Sequence, residues 1–270
     1  MESLTATAKD GVKIPITILY RKGTLRDGSA PCLLYGYGSY GIPQNVIFNS
    51  TRFSLVDRGM VYALAHIRGG GELGETWHEA GRMKNKMNTF TDFIACAEEL
   101  IRQKIARKDG LIIQGGSAGG LLMGAVTNLR PDLFKGVLAQ VPFVDVLNTM
   151  LDESLPLTVG ELRNGAIPRT PSSTAWMRGL LALRQHPRDP LPEHAGAHQP
   201  ERQPGELLGA GQVRRATARA QDRFQPAAVP LQHGRGHGGA SGRYDALHDL
   251  AFDYVWMLGT VGLTAEAPVP

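Results

Sequence analysis

The chain has 270 residues, 42% hydrophobic and 20% charged, enough for a sizeable core in one large α/β domain or two small ones. Its net charge of +4 lacks the nucleic-acid pattern of clustered basic and aromatic residues: the eight lysines all precede Gly136, and arginine dominates a later stretch. Cys32 and Cys96 make neither a disulfide framework nor a zinc site and fit a reducing, cytoplasmic setting, and neither a secretory signal nor an apolar run of about 18 residues is present.

Residues 12–20 alternate apolar and polar side chains and predict a strand. Residues 32–35, 61–67, 111–114 and 137–141 are short apolar runs bounded by turn residues, as in strands buried on both faces of a parallel sheet. Between them, residues 89–104 carry Phe90, Phe93, Ile94, Ala97, Leu100 and Ile101 at helical spacing. Residues 120–128 predict a second helix, stopped by Arg130 and Pro131. Strands alternating with helices predict an α/β fold with a mostly parallel sheet flanked by helices.

The pattern breaks at Leu162. Between residues 162 and 235 there is no Lys and no Tyr, but eleven Arg and abundant Pro, Gly, Ala and Gln. That composition reads as linker, yet a structureless stretch of such length inside a compact domain argues against the literal reading. From Gly236 the composition is ordinary again, and residues 244–258 predict a C-terminal helix.

Leu111-Ile112-Ile113-Gln114 runs into Gly115-Gly116-Ser117-Ala118-Gly119 and then a helix. This is G-x-S-x-G in a strand–turn–helix setting, the nucleophile elbow of α/β-hydrolases. A sharp turn needs neighbours without Cβ, and it lifts the Ser117 hydroxyl to where the helix N-terminus and the Ala118 N–H favour a developing oxyanion. A serine hydroxyl needs a base. In this fold the chain order is Ser, acid, His, which selects His237, late in the chain on a glycine-rich loop, over His66, His78, His186, His194, His198, His233 and His248. The glycine-rich loop at residues 34–41 is a source for a second oxyanion donor, though its residues alone do not choose between packing and catalytic tyrosines. Asp145, after the strand that follows the elbow helix, is a substitute for the triad acid. Asp189 and Asp222 lie in the anomalous stretch. No cluster of metal ligands is apparent, so neither metal nor cofactor is expected.

Together, YGYGSYG (residues 35–41), AHIRGGGELGETWH (65–78), the GGSAGG elbow, QVPFVDVLNTMLDESLPLTVGE (140–161) and GHGGASGRYDAL (236–247) resemble the prolyl oligopeptidase family of serine peptidases, nearest its oligopeptidase B branch. The resemblance covers nearly all of residues 5–161 and 236–258. It implies one α/β-hydrolase catalytic domain over residues 1–270, with Ser117 as nucleophile, His237 as base, and Tyr37 hydroxyl and Ala118 N–H as oxyanion hole. It implies cleavage of short peptides after Arg or Lys, with no cofactor. On this resemblance the chain is expected to start where the hydrolase domain would, without the family's N-terminal β-propeller. Glu161 matches the first of two glutamates that serve basic-residue specificity, whereas Arg163 stands at the second and would repel a cation. The family's acid belongs in an L-N-D-S-Q-V motif, and here that stretch is Pro200-Glu201-Arg202-Gln203-Pro204, with no Asp.

One choice of codons for residues 193–211 (EHAGAHQPERQPGELLGAG), read one base later, encodes SMLVRTSLNDSQVSYWEPA, the Asp codon straddling Arg202 and Gln203. The same shift turns residues 180–188 into YSPYDNIR and 225–229 into NPLLF. Compensating single-base changes near Leu162, Thr174, Gly179 and Gly236 are therefore expected in the coding DNA, with a divergent insertion as the rival reading. Taken as written, the chain is expected to fold poorly over its C-terminal third and to be a catalytically impaired remnant. A related acyl-peptide hydrolase or esterase is the other enzyme reading.

Overall fold

The computed structural model describes residues 1–142, 193–195 and 243–263. Its sheet runs β1 (Glu2–Thr7), β2 (Lys13–Leu19), β4 (Val61–Ala65), β3 (Cys32–Tyr35), β5 (Leu111–Gly116), β6 (Gly136–Gln140) and β7 (Glu193–Ala195) in spatial order. The first three neighbours pair antiparallel, with Glu2 opposite Ile18 and Ile16 opposite Ala65. From β4 onward every pair is parallel, through Leu34 opposite Ala63, Leu34 opposite Ile113 and Ile113 opposite Val137.

The α-helices of the described residues are α1 (Phe53–Val56), α2 (Glu75–Glu79), α3 (Lys86–Arg102), α4 (Ala118–Leu129) and α5 (Arg243–Thr260). Because successive strand residues face opposite sides, the apolar runs supply two cores. Leu34, Ala63, Ile113 and Val137 pack with Phe90, Phe93 and Leu100 of α3 and Leu122, Met123 and Val126 of α4. Leu33, Tyr62, Ile112 and Leu138 turn to the other face, against Leu55 and Val56 of α1 and Met257 and Leu258 of α5. Each fully buried Leu, Ile or Phe of these layers stabilises the fold by about 1.5–3 kcal/mol.

The predicted strands at 32–35, 61–67, 111–114 and 137–141 fall on β3, β4, β5 and β6. The helix predicted from Thr89 starts three residues earlier, where the apolar spacing gives no signal. The edge strand β1 was not predicted: ESLTAT is a short polar strand held by its ladder to β2. Inside the stretch of unusual composition, Glu193–Ala195 pairs parallel with β6, Val137 opposite His194. Among the described residues no helix is long and apolar enough to cross a membrane. Cys32 and Cys96 are both free and buried, and burial pushes both thiols up.

Candidate active site

Ser117 occupies the single residue between the end of β5 and the start of α4. Its backbone lies at φ 54°, ψ −116°, a region that residues with a Cβ avoid. Such a conformation costs about 1–3 kcal/mol and survives only where its surroundings enforce it. Here the Ser117 N–H donates to the Gln140 carbonyl of β6 at 2.9 Å, and the Ser117 carbonyl accepts from the Gly120 N–H at 2.8 Å. The turn is so tight that a Cβ at Gly115 would stand 2.5 Å from the Gly119 carbonyl oxygen. The glycine spacing of the motif therefore follows from the doubling back of the chain. Ser117 remains partly exposed, while Ala118, the first residue of α4, is buried. The positive end of the α4 dipole lies at this turn.

The loop leaving β3 lies directly against the elbow. Gly36 donates its N–H to the Gln114 carbonyl of β5 at 3.2 Å. Tyr37 follows, half-buried, and a Cβ on Gly119 would meet its Cδ2 at 3.4 Å. The adjacent, parallel β3 and β5 thus deliver Tyr37 and Ser117 to the same carboxyl-terminal edge, the edge at which open α/β sheets bind ligands. Tyr40 packs tilted against Tyr37 with ring centroids 6.3 Å apart.

Behind this edge, a polar chain links the sheet to the last helix. Gln114 Nε2 donates to Gln140 Oε1 at 3.2 Å, and Gln140 Nε2 donates to Asp253 Oδ2 at 2.9 Å. Asp253 is buried on α5. Below the Tyr37 loop, Arg68 grips the buried Asp92 of α3 through two guanidinium nitrogens, at 2.8 and 2.6 Å, and reaches Asp10 at 2.6 Å. These hydrogen bonds, the Asp92 pair foremost, raise the Arg68 guanidinium above its ordinary value and keep it charged.

Of the sequence-derived site residues, Ser117, Ala118 and Tyr37 come together at one edge. His237, Glu161, Asp145 and the stretch around Arg202 lie outside the described residues, as does Arg163. Two competing histidines are engaged elsewhere. His66 Nε2 lies 2.9 Å from Thr17 Oγ1, and His78 Nδ1 lies 3.1 Å from Glu75 Oε1.

Sequence reasoning passed over two features. Asp253 carries no motif signal, being one polar position on an otherwise ordinary helix. Glu75, His78 and Glu79 on α2 bring ligand-type atoms within 4.8 Å of one another, although no ligand cluster was expected. Their i, i+3, i+4 spacing was the available signal, and the two glutamates are exposed.

A parallel sheet with an antiparallel edge, covered by helices on both faces and turning through a strained serine elbow, defines the α/β-hydrolase fold. Residues 47–182 match the prolyl oligopeptidase family. The chain is 41% identical to dipeptidyl aminopeptidase BI of Pseudoxanthomonas mexicana, over 98% of its own length and 37% of that protein. It is 40% identical to Protease 2 of Moraxella lacunata, over 99% of its length and 39% of that protein. Oligopeptidase B from Leishmania major superimposes with a TM-score of 0.89 at 36% identity, covering 97% of this chain and 36% of that one. Oligopeptidase B from Trypanosoma brucei, with covalently bound antipain, gives 0.88 at 38% identity, covering 97% and 37%. The chain belongs to the prolyl oligopeptidase family and spans 37–39% of the length of these two curated relatives.

Proposed function

We propose that the chain is the catalytic domain of a serine oligopeptidase that cleaves short peptides after Arg or Lys through an acyl-enzyme. The observation that carries this reading is the strained Ser117 elbow with the Tyr37 ring lying against it. Ser117 Oγ attacks the scissile carbonyl while His237 takes its proton. The Tyr37 hydroxyl and the Ala118 N–H hold the oxyanion, and His237 returns the proton to the leaving amine. Water then hydrolyses the acyl ester. Glu161 supplies the negative charge for a basic substrate side chain, and no metal or cofactor takes part. The names of the relatives, an aminopeptidase and a protease, support peptide hydrolysis. The two free, buried cysteines support a cytoplasmic setting.

The test is labelling of the full chain by a fluorophosphonate, with Ser117→Ala as control, followed by comparison of an Arg amide with a small ester. Labelling of Ser117 with Arg-amide turnover is the expected result. Ester turnover alone would transfer the assignment to an acyl-peptide hydrolase or esterase.

A second reading is favoured by one observation: residues 200–204 contain no Asp where the family's acid belongs. In it, residues 162–235 are read out of frame and the chain as written is an impaired remnant. In the triad template, loss of a functional acid lowers kcat about 10⁴-fold. Resequencing the DNA across residues 159–241 decides it. Single-base changes that restore an L-N-D-S-Q-V motif assign the acid near Arg202, whereas DNA agreeing with every residue removes the frame shift and leaves a damaged, inactive hydrolase domain with Asp145 as a weak substitute acid.

A further inference from the structure

We propose that Lys86 is a positioning residue for the oxyanion site, clamping the loop that carries Tyr37 so that the phenol is held over the elbow. The proposal rests on the reading of Ser117 and Tyr37 above. Lys86 is the first residue of α3, and its Nζ donates to the Gly38 carbonyl at 2.6 Å and to Ser39 Oγ at 2.7 Å. Both acceptors belong to the two residues that follow Tyr37. The residue before it, Gly36, is tied to β5 through Gln114. Tyr37 is therefore pinned on each side by a different element, β5 and α3.

The loop is closely packed at Gly38. Gly38 takes φ 65°, and a Cβ there would stand 2.5 Å from Thr89 Cγ2 and 2.8 Å from Ile67 Cδ1. A Cβ at Gly69 would stand 2.2 Å from the Gly38 carbonyl oxygen. Ser39 is itself buried. The backbone at Gly38 is thus pressed between α3 and the chain leaving β4, with its carbonyl turned to Lys86.

Lys86 is a poor choice on helix grounds alone. A cation in the first turn opposes the helix dipole, and burial lowers its ammonium group to about 7. Neither effect favours a lysine here, and what it supplies is a set of donors aimed at the loop. A methionine has a side chain of similar length and would leave the Gly38 carbonyl without this partner. The loop that carries Tyr37 would then lose its tie to α3, and a displacement of about 1 Å at a catalytic group is worth about 10²-fold in rate.

The experiment compares the full wild-type chain with Lys86→Met, Lys86→Gln and Tyr37→Phe. Two readouts are taken: fluorophosphonate inactivation, resolved into kinact and KI, and amide hydrogen exchange. Expected for Lys86→Met are a fall of about 10–100-fold in kinact with KI within about twofold, and faster exchange at residues 37–41. Exchange in the second half of α3 should stay unchanged. Lys86→Gln, which keeps a donor, should fall between wild type and Lys86→Met. Adding Lys86→Met to Tyr37→Phe should cause little further loss, since the two act as a unit. An unchanged kinact in a labelling wild type overturns the proposal. So does an exchange increase spread evenly along α3, which marks a general structural role. A folded wild type that does not label at all overturns the Ser117 reading instead, and exchange at residues 37–41 then decides by itself whether Lys86 clamps the loop.

Discussion

Gln140 donates its side-chain amide to the buried Asp253 carboxylate at 2.9 Å, joining the strand beneath the nucleophile elbow to the last helix across 113 residues of sequence. The backbone carbonyl of the same Gln140 accepts from the Ser117 N–H. One residue therefore ties the elbow to α5, the helix that begins six residues after His237 in sequence. Gln140→Leu should destabilise the chain by about 1.5–3 kcal/mol, because the buried Asp253 carboxylate loses a donor. Asp253→Asn should cost less. Urea denaturation measures both, and equal midpoints for wild type and Gln140→Leu would remove the link.

Arg68→Met is expected to cost about 3–5 kcal/mol, since it leaves Asp92 buried without its counter-charge. Asp10→Asn, at the half-exposed end of the same network, should cost no more than about 1 kcal/mol. The side chains of Asp92 and Asp10 are 0% and 45% exposed, which is what separates the two outcomes. Denaturation midpoints check this, and similar losses for both variants would contradict it.

Ser117→Gly should stabilise the fold while abolishing fluorophosphonate labelling. Glycine takes φ 54° without a steric penalty, so the gain is part of the roughly 1–3 kcal/mol held in the elbow. Ser117→Ala keeps the Cβ and should label no better, without the gain in stability. A Ser117→Gly chain no more stable than Ser117→Ala would show that the elbow carries no strain.

Lys86 sets a pH dependence of stability. Burial lowers its ammonium group from 10.5 to about 7 in the folded chain. Between these values the unfolded chain binds the extra proton, so the stability of wild type relative to Lys86→Met should rise as the pH climbs through that window. Below about pH 7 both states are protonated and the relative stability should be flat. Denaturation of the two chains from about pH 6 to about pH 9.5 reads the slope. Parallel curves would mean that Lys86 does not titrate in this range.

The local half of the molecule could be read from the chain. CLLY, VYALA and LIIQ announce strands buried on both faces because every residue in them is apolar or adjacent to a turn. The Ser117 elbow is legible for the same reason: strand, glycine, serine, glycine and helix follow one another within a few residues, so the turn can be read before its distant partners are known. The broken composition between residues 162 and 235 and the missing acid near Arg202 are also properties of the chain itself. Tertiary structure alone decided the rest. ESLTAT becomes a strand only through its ladder to β2. Lys86 lies against Gly38 across 48 residues, and Asp253 against Gln140 across 113. Neither partner carries a local signature, because an ordinary lysine or aspartate acquires its role from the groups that folding sets beside it. Periodicity reports which face of an element is apolar, whereas a buried polar contact depends on how two elements dock, and that is settled by the packing of the whole sheet.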